Sequence, residues 1–372
     1  MEEVHFTYID TQSGVDDLCR HMKDHPEIAL DSEADNLHHY ETKLCLLQLR
    51  FDDTTYLLDV LADVQLDEFW KVLVDKHLIM HGSDFDLRLF QEFAGVKVDD
   101  LFDSMLASQL LGIKRIGLAS LLEDNFQLKL PKDSQKSDWS IRPLTPKMLT
   151  YAANDVQYLF PLRDLLMKQI CELGREEWLV QRCQQQICTA QSGFPERDEH
   201  SWRISRSDKL SAKAQCGLYE LWHWREQLAM KLDRPPFKII GNEYLITLAQ
   251  AIADGKASEV LNGMAAGIQR RRKQGLTEAI ERGSKKDPKT LPKRPSRGTR
   301  REPLSQEELD RQDSIKAFRD KIATELGIDS TLLATRSHVA NIARDSKNLG
   351  ELLPWQQDLL KPALNGTSGD SE

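Results

Sequence analysis

The sequence predicts an α/β domain built on a mixed sheet, followed by two small all-α bundles. Three observations predict this. Short apolar runs alternate with amphipathic stretches through the first 190 or so residues. Composition turns polar and loop-like at Ser192-Gly-Phe-Pro195. Beyond that point one helical pattern occurs twice. A chain of 372 residues exceeds one ordinary domain and leaves ample material for a core. The expected boundaries are 1–195 for the α/β domain, 205–285 for the first helical domain, 286–304 for a linker and 305–372 for the second helical domain.

Taken in order, residues 4–10 alternate like a strand, and Ser13 with Asp16 resembles a capping box opening a helix over about 14–24. Residues 27–33, Glu-Ile-Ala-Leu-Asp-Ser-Glu, form a short apolar run that ends in two carboxylates. On a strand, residues i and i+2 point to one face, so Asp31 and Glu33 aim at one point. Hard oxygen ligands of this kind suit Mg²⁺ or Mn²⁺ better than zinc. In a chain with 59 acidic residues the pair also has a plainer reading, as solvated carboxylates at a strand end. Residues 44–51 and 54–60 read as two further strands joined by the tight turn Asp52-Asp53. A helix near 67–75 then leads to a core strand at 77–81, and a meander followed by strand and helix alternation implies a mixed sheet.

Past that strand, Ser83 can cap a helix that buries Phe85, Leu89 and Phe90 and carries Asp84 and Asp86 in its first turn. Acids there answer the helix dipole; alternatively, Asp86 supplies a third oxygen ligand beside Asp31. Thr145-Pro146 reads as N-cap and first position of another helix, on which Tyr151 and Asp155 lie at i and i+4 on one face. Ala152 and Ala153 between them let that helix approach the sheet closely. This pair is either a surface hydrogen bond or the remainder of a hydrolytic site: a fourth carboxylate, and a hydroxyl to orient an attacking water. In two-metal phosphodiester hydrolysis two divalent ions about 4 Å apart activate the water and stabilise the leaving oxygen, so no protein nucleophile is needed. Just before this helix, Lys132, Lys136, Trp139 and Arg142 mix cations with an aromatic ring. They read either as a phosphate-tracking wall that stacks a base, or as a packed Trp with solvated cations. Pro161 should kink or end the helix before 162–173 continues.

In the last 180 residues, Trp224, Arg225, Leu228, Ala229 and Leu232 align with Phe318, Arg319, Ile322, Ala323 and Leu326, and Leu245, Leu248 and Ala249 align at the same offset with Val339, Ile342 and Ala343. One offset across two helices is a repeated domain, each copy a small bundle. Between the copies, Gln269 to Arg301 is strongly basic, with Arg270 to Lys273, Lys285, Lys286, Lys289, Lys293, Arg294, Arg297, Arg300 and Arg301 among three prolines. A solvated tether is one reading and phosphate contact with counterion release the other. Such a segment answers the objection that a net charge of −9 poses to a nucleic-acid partner.

Six cysteines without a Cys-x-x-Cys point to thiols in a reducing compartment, and no stretch has the length and apolarity of a membrane span. With no basic and apolar leader at the N-terminus, a cytoplasmic protein with no membrane partner is expected. No Gly-rich phosphate loop occurs, so no nucleotide cofactor is expected and ATPase or helicase chemistry is excluded.

The motifs Asp31-x-Glu33, Asp86 and Tyr151-x-x-x-Asp155, in that order, resemble the DEDD exonucleases with a tyrosine in the last motif. The stretches beginning Phe102-Asp103, Gly117-Leu118, Ser137-Asp138-Trp139 and Arg142-Pro143-Leu144 look specifically like the bacterial ribonuclease D family, and both helical copies look like HRDC domains. The resemblance implies a ribonuclease H-like sheet, Asp31, Glu33, Asp86 and Asp155 as ligands of two divalent ions (Mg²⁺ or Mn²⁺), and Tyr151 positioning the water. It further implies a 3′→5′ exoribonuclease that releases nucleoside 5′-monophosphates from RNA 3′ ends, tRNA precursors among them. Ser32 stands where family members commonly carry Thr, and it keeps the hydroxyl and the small size. A nuclease preferring single-stranded DNA, and a non-catalytic RNA-binding adaptor, are the alternative expectations.

Overall fold

A run of eight residues, Leu44–Phe51, buried along nearly its whole length, forms one of the two middle strands of a six-stranded sheet. The structure is a computed structural model that describes residues 4–130, 134–263, 266–293 and 303–365. The strands are β1 (Thr7–Ile9), β2 (Glu27–Ala34), β3 (Leu44–Phe51), β4 (Thr54–Asp59), β5 (His77–Met80) and β6 (Asp100–Asp103), in the order β1-β4-β3-β2-β5-β6. Strand β3 is antiparallel to β2 and β4, while β1 runs parallel to β4 and β2, β5 and β6 run parallel to one another. The expected mixed sheet is present. Four-residue β6 was not foreseen, because so short a segment shows no period.

The sheet is covered on both faces, which is why β3 contributes to two apolar clusters. One cluster gathers helices α1 (Gln12–Lys23), α2 (Asp67–Val74), α3 (Asp84–Ala94), α4 (Ser104–Leu110) and α5 (Leu118–Phe126). The other lies under α6 (Pro146–Gln157), whose Ala152 and Ala153 are fully buried and let it sit close to β2, β3 and β4. Thr11, not Ser13, caps α1, its hydroxyl accepting from the Gly14 amide at 3.3 Å. Helix α6 ends at Tyr158, and α7 (Leu159–Glu172) begins at once with Pro161 in its first turn, where a missing N–H matters least. Helix α8 (Glu176–Ala190) completes the α/β part.

The chain divides into two compact units. One comprises residues 1–34, 44–194 and 302–372; the other comprises 35–43 and 195–301. The second unit is helical: α9 (Ala212–Lys231), α10 (Pro236–Ile239), α11 (Asn242–Ala253), α12 (Ala257–Gly263) and α13 (Ala266–Lys285), with α9 packed on α11 and α13 around Trp202, Leu221, Trp224 and Leu248. Segment 35–43 belongs here, with Tyr40 donating to Glu226 at 3.3 Å and lying under the Arg197 guanidinium. Lys286 pairs with Glu220 at 2.9 Å, Leu291 is buried, and Arg203 donates to the Pro292 carbonyl. The linker expected from residue 286 is thus held against this unit as far as Pro292. The Arg270 to Arg272 side chains and residues 294–302 lie outside the described residues.

The repeat is structural as well as sequential. Helices α14 (Gln306–Leu326), α15 (Ser330–Leu333) and α16 (Arg336–Arg344) follow the order of α9 to α11, before α17 (Pro354–Leu360) and α18 (Pro362–Asn365). Buried Arg225 donates to the Ile240 carbonyl and pairs with Glu226; buried Arg319 donates to the Ala334 carbonyl and pairs with Asp320, at one and the same offset. The second copy shares a core with the α/β part. Trp355 stacks on Trp178 at 4.7 Å, and Arg175 donates to the Leu326 carbonyl at 2.7 Å. A side chain at Gly112, whose φ is +73°, would collide with the Gly327 carbonyl.

Candidate active site

Parallel strands β2, β5 and β6 end at one edge of the sheet, and α3 and α4 begin there directly after β5 and β6. Crevices at the carboxyl ends of parallel strands are the usual ligand sites of such sheets. A cavity of about 440 Å³ opens here, lined by Asp31, Glu33, Asp86, Tyr151 and Asp155, with Ser32, His81, Phe85, Met105, Gln135 and Leu159 among its other walls. All five residues read from the sequence as a hydrolytic site therefore face one cavity.

Three of them converge further. Single carboxylate oxygens of Asp31, Glu33 and Asp155 all lie within 4.8 Å of one another. Asp31 and Glu33 arrive by the two-residue period of β2, opposite Gln48 and Leu46 of β3, and the register shifts directly after Glu33, so that Ala34 pairs with Leu44. Asp155 arrives from α6, one turn beyond Tyr151, whose hydroxyl donates to it. Asp86 is anchored differently: the Ser32 hydroxyl, from between the two β2 acids, donates to its Oδ1.

Burial and mutual repulsion disfavour charge on these acids. Burial pushes Asp155 up to about 7 and Asp86 up to about 6, with the Tyr151 and Ser32 hydroxyls pulling each back down. Asp31 stands well above the usual carboxylate range because of burial and the charges of Asp86 and Asp155; Glu33 does so because of burial and the charges of Asp31, Asp155 and Asp86. Among the described residues no Lys or Arg offsets Asp31, Glu33 or Asp155. An all-oxygen donor set with surplus negative charge fits a hard divalent cation. Tyr151 is raised too, by burial and then by Asp155, Glu33 and Asp31, so its phenol stays protonated and acts as a donor.

The support around this set was only partly legible. Asp103 accepts from the Gly82 and Ser83 amides at 3.0 and 2.8 Å and from the Ser83 hydroxyl at 2.8 Å, while its Oδ1 also takes the Met105 amide at the start of α4. Asp103 thus ties together the turns that launch α3 and α4, and Ser83 binds it instead of capping α3. Gly82, with φ +71°, makes that turn possible, since a Cβ would stand 2.7 Å from Met105. His81 lines the cavity with Nδ1 at 2.9 Å from the Ser104 hydroxyl, and burial lowers its pKa.

The RNA-contact expectation meets a different outcome. Trp139 is 1% exposed and packs with Leu46, Met148 and Ala152, so it offers no face to a base. Arg142 grips the Asp59 carboxylate with Nε and Nη2 at 2.6 and 2.5 Å and donates to the Cys45, Trp139 and Ile141 carbonyls. Both hold the segment before α6 against the sheet. Lys136 is exposed, and Lys132 lies outside the described residues.

Known proteins resemble this chain along nearly its whole length. Residues 6–171 match the 3′-5′ exonuclease family and residues 218–261 match the HRDC domain, so one of the two helical copies is matched. A ribonuclease D from Xanthomonas oryzae pv. oryzae is 29% identical over 343 residues, covering 90% of this chain and 91% of that one. A ribonuclease D from Bartonella henselae is 27% identical over 89% of this chain and 82% of the relative. In fold, the chain is similar to Escherichia coli RNase D, described as an exoribonuclease involved in structured RNA processing, with a TM-score of 0.69, 22% identity and 98% of both chains covered. It is similar as well to a protein from Bifidobacterium adolescentis, with a TM-score of 0.76 at 23% identity, over 98% of this chain and 97% of that one.

Proposed function

We propose that this chain, a 3′-5′ exonuclease of the ribonuclease D type that carries an HRDC domain, shortens structured RNAs from their 3′ ends, tRNA precursors among them, and releases nucleoside 5′-monophosphates. The observation that carries this reading is the convergence of Asp31, Glu33 and Asp155 oxygens within 4.8 Å in a cavity at the carboxyl ends of the parallel strands. The ribonuclease D relatives along nearly the whole chain support RNA as substrate.

Asp31, Glu33, Asp86 and Asp155 would hold two divalent ions, Mg²⁺ or Mn²⁺, and these when bound supply water activation and stabilisation of the leaving oxygen. Asp31 and Glu33 provide a rigid edge, because the sheet fixes their backbone. Ser32 keeps the Asp86 carboxylate turned toward that edge. Tyr151, kept neutral, gives its proton to a hydrogen bond with Asp155 and presents its oxygen toward the cavity, where it orients the attacking water. The second helical copy, like the first, is read as an HRDC-type bundle, and the basic segment between them as a phosphate-binding tether. None of the six cysteines is joined in a disulfide, which supports a cytoplasmic setting.

The test is a time course on a 3′-extended tRNA labelled at its 5′ end, run with Mg²⁺, Mn²⁺ or EDTA, for the wild type and Asp31→Asn. A metal-dependent ladder receding from the 3′ end, absent in the variant, is expected. An RNA that is bound yet intact in every lane would replace the nuclease reading with an adaptor.

A further inference from the structure

At the edge of the sheet opposite the carboxylate cavity, α1 ends beside the β3–β4 turn. His21 lies in the last turn of α1, His25 lies just beyond it, and Asp52 opens the turn. One atom from each side chain can be chosen so that all three lie within 4.8 Å of one another. His21 Nε2 is 3.5 Å from Asp52 Oδ2. That is long for a hydrogen bond but close to the edge of a tetrahedron, about 3.4 Å, for donors about 2.1 Å from a central ion.

The surroundings orient the donors. The Tyr56 hydroxyl lies 2.7 Å from His21 Nδ1, which leaves Nε2 as the ring nitrogen turned to Asp52. Metal-binding imidazoles characteristically engage their second nitrogen in this way. Phe51, 1% exposed, stands with its ring centre 5.1 Å from each imidazole and stacks on Tyr56, so both imidazoles rest against a fixed aromatic wall. Asp52 holds φ at +47° and Asp53 at +54°, the left-handed pair that a two-residue hairpin turn requires and that Asp tolerates. Asp52 is exposed and the two histidines are half-buried, so an ion can enter from solvent and keep a water as fourth ligand.

We propose that His21, His25 and Asp52 form a second metal site, for a divalent transition ion of the zinc class, which ties the end of α1 to the β3–β4 turn. Two imidazoles and a carboxylate select Zn²⁺, Co²⁺ or Ni²⁺ over Mg²⁺, whereas the cavity at the other edge presents oxygen alone. The site is therefore separable from the catalytic one by metal type, and it stands whether or not the proposed reaction does.

Co²⁺ and Zn²⁺ titrations of the full-length chain in excess Mg²⁺ test it, read by visible absorption and calorimetry and compared with His25→Ala, Asp52→Asn and Asp31→Asn. Asn at position 52 preserves the turn, so loss of binding there is not loss of fold. The expected result is one equivalent of ion with a tetrahedral Co²⁺ spectrum. Zn²⁺ should bind at least about tenfold more weakly in His25→Ala and Asp52→Asn and unchanged in Asp31→Asn, since even outer-shell partners of a metal are worth 10- to 100-fold. A spectrum and affinity unaffected by His25→Ala and Asp52→Asn, or lost only in Asp31→Asn, would overturn the proposal.

Discussion

The two ends of the sheet hold donor clusters of opposite character. At the carboxyl ends of β2, β5 and β6 four buried acids line one cavity, and burial raises the proton affinity of all four, with the charges of the others adding to it for Asp31 and Glu33. At the far end two imidazoles and one exposed carboxylate meet beside a tight turn, each contributed by a different local structure. The first cluster is strained by its own charge and supported by Ser32, Tyr151 and Asp103. The second rests on an aromatic wall.

The largest effect that sharpens this contrast is expected from Asp155→Asn, which removes a charge but little volume. Turnover should fall by more than about 100-fold, beyond the cost of losing an outer-shell partner, while metal-free thermal stability at pH 8 holds or rises. Nuclease assays and melting curves on one preparation check both, and unchanged turnover would remove Asp155 from the site. Ser32→Ala comes next. It leaves all four acids in place but frees Asp86, and a loss of about 10- to 100-fold in turnover is expected. Rescue by Ser32→Thr, which restores a hydroxyl, would distinguish orientation of Asp86 from general disturbance of β2.

The smallest effect is a slope. Asp86 and Asp155 have folded-state values of about 6 and about 7, above their ordinary 3.8, so the folded protein binds these protons more tightly than the unfolded chain. Their contribution to stability is complete below about pH 4 and is lost as pH rises through 6 and 7. Melting temperatures in EDTA should therefore decline between pH 5 and pH 8, less steeply in Asp155→Asn. Identical slopes in the two proteins would contradict the burial of the Asp155 carboxyl described here. Added Mg²⁺ should raise the melting temperature more at pH 8 than at pH 6, because protons and the cation compete for the same oxygens.

Legibility followed the same contrast. Asp31 and Glu33 could be read because a strand's two-residue period puts them on one face, and Tyr151 and Asp155 because a helical turn does the same. Trp139 and Arg142 misled, because an aromatic ring among cations looks alike in sequence whether it stacks on a base or packs under a sheet. Only the covering of that face by α6 buries the ring. The two helical copies were legible as a repeat through the matching Arg225 and Arg319, yet nothing periodic marked that one copy joins the α/β core through Trp355 while the other gathers segment 35–43 around itself.

By itself the sequence determined the mixed sheet and the repeated helical unit, and it paired Asp31 with Glu33 and Tyr151 with Asp155, because periodicity and spacing along one element act over a few residues and are written in their order; joining these pairs with Asp86 in one candidate site rested on the family resemblance. Tertiary structure alone decided that Ser32 would hold Asp86, that Asp103 would join the launch points of α3 and α4, and that a histidine of α1 and one just beyond it would meet an aspartate from a hairpin turn 27 residues and more away. Such meetings depend on how separate elements pack, and no local pattern encodes the distance between residues that touch only after the sheet has formed.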